Sequence, residues 1–190
     1  MARILFVVKE TFCASVIIVP IMLILYKLRF HNVSQTVVYT LFALYLAGVY
    51  ALVGLPTVNY VRFEPNIYLI PLWGIQNDLK NSVLNVILFL PLGFVLPILC
   101  SDFRSIKRSM LTGGLLSILI ELLQMFTFRA TDINDVLTNT LGTLLGYLLY
   151  TAAFRGRVKA SGSRADTVLT VLISFNTMFF LQPFLSARLL

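Results

Sequence analysis

Charge is what this 190-residue sequence has least of. Asp, Glu, Lys and Arg together make up 12% of it, whereas a soluble domain of this size carries roughly a quarter. Apolar residues reach 58% and the mean hydropathy is +0.89, so the composition excludes an ordinary soluble globule. There is a single histidine, His31, placed in a basic linker away from other ligand-type residues, which argues against a zinc site and against a histidine base. Two cysteines, Cys13 and Cys100, fall in different apolar segments at different depths, and no disulfide or cysteine nucleophile is expected. No serine nucleophile elbow, phosphate-cradling glycine loop or dinucleotide fingerprint occurs. The net charge of +7 comes from scattered short basic loops, which gives no reason to invoke nucleic acid.

What is present is a series of apolar segments, and the chain reads as an all-α polytopic integral membrane protein, a bundle of five or six transmembrane helices forming one domain over 1–190. The first segment runs from Ile4 to Tyr26; lacking a small-x-small cleavage site before Lys27, it is read as a retained helix. A polar linker follows, then a second span over Thr36–Val53 ending at Gly54 and Pro56. Thr57–Asn81 is an aromatic-rich interfacial loop, whose centre from Asn66 through Pro71 to Trp73 is apolar, too short to span and able to dip back into the bilayer. The third span, Ser82–Cys100, contains Pro91 and Pro97, so a kink or partial unwinding is expected where the carbonyls of Ile87 and Gly93 lose their donors. Asn85, Phe89 and Gly93 share one face, expected to look inward. The fourth span is Met110–Phe126 and the fifth Ile133–Phe154; a weaker segment over 167–186 is interrupted by Asn176, Gln182 and Pro183.

Six spans put the linkers bearing Lys27 and Arg29, then Arg104, Lys107 and Arg108, then Arg155, Arg157, Lys159 and Arg164 on one side. By the positive-inside rule that side is cytoplasmic, and both termini are extracytoplasmic. The polar residues of the fourth and fifth spans then open outward.

Those residues are the centre of the sequence. Glu121 and Gln124 lie one turn apart on one helix; Asp135, Asn139, Gly142 and Gly146 form a stripe on the next. Arg129 and Asp132 occupy the turn between them. A carboxyl group at depth must be paired or watered, so these groups are expected to face one another, a cavity or a partner. Each also has a purely structural reading. Asp132, three residues before Asp135, suits a helix cap; Glu121 suits an ion pair with Arg129; Asn85 and Gln124 suit interhelical hydrogen bonds; the glycines suit close packing. Three carboxyl groups with Asn and Gln would also suit Mg²⁺ or Ca²⁺, but Arg129 competes for the same charge and no metal or other cofactor is expected.

In order, Asn85-x-x-x-Phe89-x-Pro91-x-Gly93, Glu121-x-x-Gln124 and Arg129-x-x-Asp132-x-x-Asp135-x-x-x-Asn139-x-x-Gly142-x-x-x-Gly146-Tyr147 resemble the motifs of the VanZ-like family of bacterial membrane proteins, over about 55–150. The helix over 4–26 and the segment after Phe154 fall outside that match. The resemblance implies a multi-pass protein of the bacterial cell (inner) membrane, in a family whose namesake is linked to lowered susceptibility to teicoplanin, a lipid-tailed glycopeptide. Two functions of different class follow. One is a binding or shielding protein whose outward pocket, with Asn85, Gln124, Arg129, Asp132 and Asn139 as binding residues, takes a membrane lipid, a lipid-linked cell-wall component or a lipoglycopeptide. The alternative is an intramembrane enzyme acting on a lipid-linked substrate with Glu121 and Asp135 as its catalytic acid and base. A transporter has less support, since there is no internal repeat and the polar groups gather at one side rather than at mid-depth.

Overall fold

A computed structural model describes residues 2–63, 65–68, 70–71, 79–127, 129–154 and 158–189. Among these the regular elements are helices, apart from one pair of two-residue strands. Helix α1 (Ala2–Leu25) continues as a π-helical turn (Tyr26–Phe30) and is followed by α2 (Val33–Val53), β1 (Ile67–Tyr68) and α3 (Leu79–Leu99). Then come a 3-10 turn (Ser101–Phe103), α4 (Ile106–Gln124), β2 (Thr131–Asp132) and α5 (Ile133–Phe154). Helix α6 (Arg164–Asn176), a π-helical stretch (Thr177–Leu181) and α7 (Gln182–Leu189) run on without interruption. Four stretches are long and apolar enough to cross a membrane: Arg3–Phe30, Val33–Val53, Leu79–Leu99 and Arg164–Arg188. Helices α4 and α5, expected as further spans, fall outside that set; they carry the polar residues of interest.

The described chain divides into two compact units, Met1–Val61 with Ser161–Leu190, and Arg62–Ala160. In the first unit, Cys13, Ala14, Ile18 and Met22 of α1 and Tyr39, Phe42, Ala43, Ala47 and Tyr50 of α2 are buried, each set falling on one helical face. The opposite face of α1 exposes Phe12, Val16, Val19 and Leu23, the apolar exterior that a bilayer solvates. Lys27 and Arg29 were expected in a linker, yet they sit in the π-helical turn that extends α1. The turn closes where His31 adopts φ 50° and donates its N–H to the Tyr26 carbonyl. Asn32 then caps α2 by accepting the Gln35 N–H at 3.2 Å, which starts that helix three residues earlier than expected. Gly54 ends it at φ 67°, where a residue without Cβ is unstrained.

The C-terminal segment is longer than its sequence suggests. A capping box between Ser163 and Asp166 starts α6, and Asp166 also pairs with Arg29. Pro183 does not stop the helix, because the Phe179 carbonyl one turn earlier, which a proline cannot serve, accepts the Val58 N–H at 2.9 Å.

In the second unit α5 is central. A Cβ at Gly142 would overlap the Val86 carbonyl, one at Gly146 the Leu90 carbonyl, and one at Gly93 the Thr143 carbonyl, so α3 and α5 touch backbone to backbone. The order of these contacts, 86 with 142 and 90 with 146, makes the two helices parallel. Helix α3 runs through Pro91 and Pro97 as one α-helix, so the expected unwinding does not occur; its backbone is held against α5 along this stretch. Phe89 and Gly93 are buried, as their shared face requires, and Leu92, Leu96 and Leu99 join them. Beyond the 3-10 turn, Arg104 is taken up by main chain: its Nε donates to the Pro97 carbonyl at 3.4 Å, its Nη2 to the Val158 carbonyl, and its own carbonyl accepts the Tyr147 hydroxyl at 2.8 Å.

The aromatic-rich loop is tied down where it is described. Ile67 and Tyr68 pair in parallel with Thr131 and Asp132, and the Asn66 carbonyl accepts the Thr131 N–H at 2.8 Å. Leu69, Leu72 and Trp73 of the possible membrane dip lie outside the described residues, as do Arg155 and Arg157 of the basic run.

Candidate functional site

Helix α4 packs antiparallel on α5 in layers one turn apart. At the first, Gly113 lies against the Thr143 side chain. At the second, the Asn139 amide donates to the Ser117 hydroxyl at 2.8 Å. The third holds Glu121 and Asp135. The spacing is four residues on each helix, which returns a side chain to nearly the same face. Small residues on α4 admit polar ones from α5, and this stack carries the polar groups into the middle of the unit.

Glu121 is 4% exposed. Its Oε2 accepts the Asp132 N–H at 2.8 Å, and its carbonyl accepts the Thr131 hydroxyl at 3.0 Å. The carboxyl groups of Asp135 and Asp132 and the Arg129 guanidinium all lie within electrostatic reach of it. Thus the ion-pair reading is incomplete, since the hydrogen bond that locks the α4–α5 turn to Glu121 comes from the backbone of Asp132. Asp132 does cap α5, accepting the Asn134 N–H at 2.8 Å on Oδ1. Asp135 is in the first turn of the same helix, where the dipole favours an acidic group.

Gln124 is buried one turn beyond Glu121, and its carbonyl accepts both the N–H and the hydroxyl of Thr127, which closes α4. Asn139 is 4% exposed, and its Oδ1 has no hydrogen-bond partner among the described residues. The same holds for Nδ2 of Asn85. Asn85 immediately precedes Val86, whose carbonyl lies against Gly142, and lies two turns before Gly93, which meets the Thr143 carbonyl; because these helices are parallel, Asn85 is nearer the level of Asn139 than that of Asp135. The structure therefore gathers Glu121, Arg129, Asp132 and Asp135 at one end of the unit, with Asn85 and Asn139 about one turn below them. Among the described residues no group of three or more His, Cys, Asp or Glu side chains could hold a metal ion.

Sequence reading missed three parts of this arrangement. Ser117 is the partner of Asn139; Thr131 bonds the Glu121 carbonyl; and the loop at Asn66 to Tyr68 walls the turn by main-chain pairing. The four-residue offset of Ser117 from Glu121 could have revealed the first. Main-chain pairing leaves no trace in side-chain identity, so nothing could have revealed the last.

The VanZ/LLP1 family model matches residues 16–155, well over half of the chain. The match begins inside α1 and takes in α2, so it extends further toward the N-terminus than the motifs alone indicated. Protein VanZ of Enterococcus faecium is 35% identical over 74 residues, which cover 38% of this chain and 45% of that protein. The chain thus spans less than half the length of this curated relative. No solved structure matches. With apolar helices, the motif residues brought together at the α4–α5 turn and a family match across both units, this membrane protein belongs to the VanZ/LLP1 family.

Proposed function

We propose that the chain is a multi-pass protein of the bacterial cell membrane whose α4–α5 end binds, and so shields, a lipid-linked component of the envelope. The observation that carries this reading is Glu121: a carboxyl group buried in an otherwise apolar helix, facing two more carboxyl groups and a guanidinium rather than one matched counter-charge. Such an arrangement costs stability if it serves only to hold helices together, and is retained where it meets a ligand. Within this unit Arg104, Lys107 and Arg108 lie at the start of α4 and the polar groups at its end, so the positive-inside rule turns the polar end outward. That is the side on which a cell-wall precursor or a lipid-tailed glycopeptide is met.

The test is teicoplanin susceptibility, beside vancomycin, in a bacterial host expressing wild type, Glu121→Gln or Asp135→Asn at matched membrane levels and matched melting temperature. Selective protection by wild type and none by the folded variants is expected. Equal protection by the variants would remove the polar end from the function; no protection by wild type would confine the ligand to the host's own envelope components.

The nearness of Glu121 and Asp135 favours one other reading, an intramembrane enzyme using them as acid and base on a lipid-linked substrate. It differs in requiring a changed product: lipid extracts of expressing cells would show a species absent from Glu121→Gln cells.

A further inference from the structure

We infer that the head group taken at the α4–α5 end is a primary ammonium on a lipid, and that the lipid's chain lies along the exposed apolar surface of the loop beside it. This rests on the lipid-binding reading above and adds the chemistry of the ligand. Two carboxyl groups, those of Asp132 and Asp135, and one guanidinium, that of Arg129, lie within electrostatic reach of the Glu121 carboxyl group. A phosphate or carboxylate head would meet more acidic neighbours than basic ones; an ammonium meets the reverse.

A second observation, independent of charge, points the same way. Asn139 is buried in the layer beneath Glu121 and Asp135, and its amide nitrogen is already committed to Ser117. Its Oδ1, shielded from solvent and without a partner among the described residues, is an acceptor awaiting an N–H or O–H. Helical side chains lean toward the N-terminus of their own helix, so Asn139 leans toward the level of Asp135 and not away from it. An ammonium has three donors and no acceptor, the complement of this set.

The chain of the lipid has a place to lie. Ile67 and Tyr68 pair with Thr131 and Asp132 at the turn that carries the acidic groups, yet their side chains, with those of Phe63 and Ile70, are exposed. Ile70 is 63% and Phe63 60% exposed, and the Phe63 ring rests on Phe126 at 5.3 Å, which continues the apolar strip to the end of α4. An apolar strip hydrogen-bonded to the edge of a polar cluster fits an amphiphile better than a free small molecule.

The full-length protein, purified in mild detergent after incorporation into vesicles of equal parts phosphatidylethanolamine, phosphatidylcholine and phosphatidylglycerol, tests this by analysis of the lipid it retains. Phosphatidylethanolamine should be enriched over phosphatidylglycerol by about tenfold, the scale of one charge-assisted hydrogen bond, and over phosphatidylcholine, which has no N–H to offer. Asp135→Asn and Asn139→Leu should bring the ratio toward unity, and Lys107→Gln, at the opposite end of α4, should preserve it. Enrichment of phosphatidylglycerol, or retained lipid with no preference, overturns the ammonium inference but leaves lipid binding standing. Retention of no lipid overturns both. Free ethanolamine should fail to displace the bound lipid; if it competes as well as a long-chain primary amine, the apolar strip plays no part and the amphiphile is wrong. The wild-type comparison decides the matter even if a variant fails to fold.

Discussion

Replacing Gly142 by alanine sets two physical effects against each other, and the sign of the result decides between them. Helix propensity alone favours alanine over glycine by about 1 kcal/mol in a helix interior. In this structure, however, a Cβ at position 142 would overlap the Val86 carbonyl and crowd its Cα, both main-chain atoms of α3 that no side-chain rotation can move. Helix α3 would have to retreat, and because Gly146 and Gly93 rely on the same close approach, the retreat loosens three contacts together. Overpacking of this kind costs about 1–3 kcal/mol, so Gly142→Ala should be destabilising despite its better propensity. Gly114 is the internal control. Its added Cβ would come no closer than 3.4 Å to the Thr140 hydroxyl, an ordinary contact, so Gly114→Ala should be neutral or stabilising. Reversible unfolding of the purified protein in mixed micelles, followed by far-UV circular dichroism, measures both. A Gly142→Ala protein as stable as Gly114→Ala would refute the backbone contact between α3 and α5, and with it the level assigned to Asn85.

Asp132→Ala should cost about 1 kcal/mol through loss of the α5 cap, while Asp132→Ser, which can still accept the Asn134 N–H, should recover most of it by the same unfolding assay. Glu121→Gln retains an oxygen for the Asp132 N–H and should unfold within about 1 kcal/mol of wild type; Glu121→Leu strands that donor and should lose about 1–3 kcal/mol. A double-mutant cycle of Arg29→Ala and Asp166→Ala should show a coupling of about 1 kcal/mol, reduced by salt because Arg29 is half exposed; zero coupling would mean that the pair does not hold α1 to α6.

Much of the fold was legible in order and type. Apolar runs marked the helices, and Phe89 and Gly93 point inward as their spacing required, with Asn85 on the same face half-buried. Helix ends were less legible where tertiary partners override local stop signals. Lys27 and Arg29 read as linker because charges usually end a span, yet a π-helical turn carries Arg29 to Asp166, far along the chain. Pro183 read as an interruption, but the Val58 N–H serves the carbonyl that a proline leaves open, and the helix continues.

Composition alone determined that this chain belongs in a membrane, and its motifs named the residues worth locating. Those conclusions depend on residue type and spacing, which a linear sequence holds in full. Only the tertiary structure decided that the turn is locked by a backbone N–H and that an apolar loop borders the acidic groups. Each of these is a meeting between residues distant in sequence, or involves main-chain atoms identical in every residue, so side-chain identity along the chain cannot encode it.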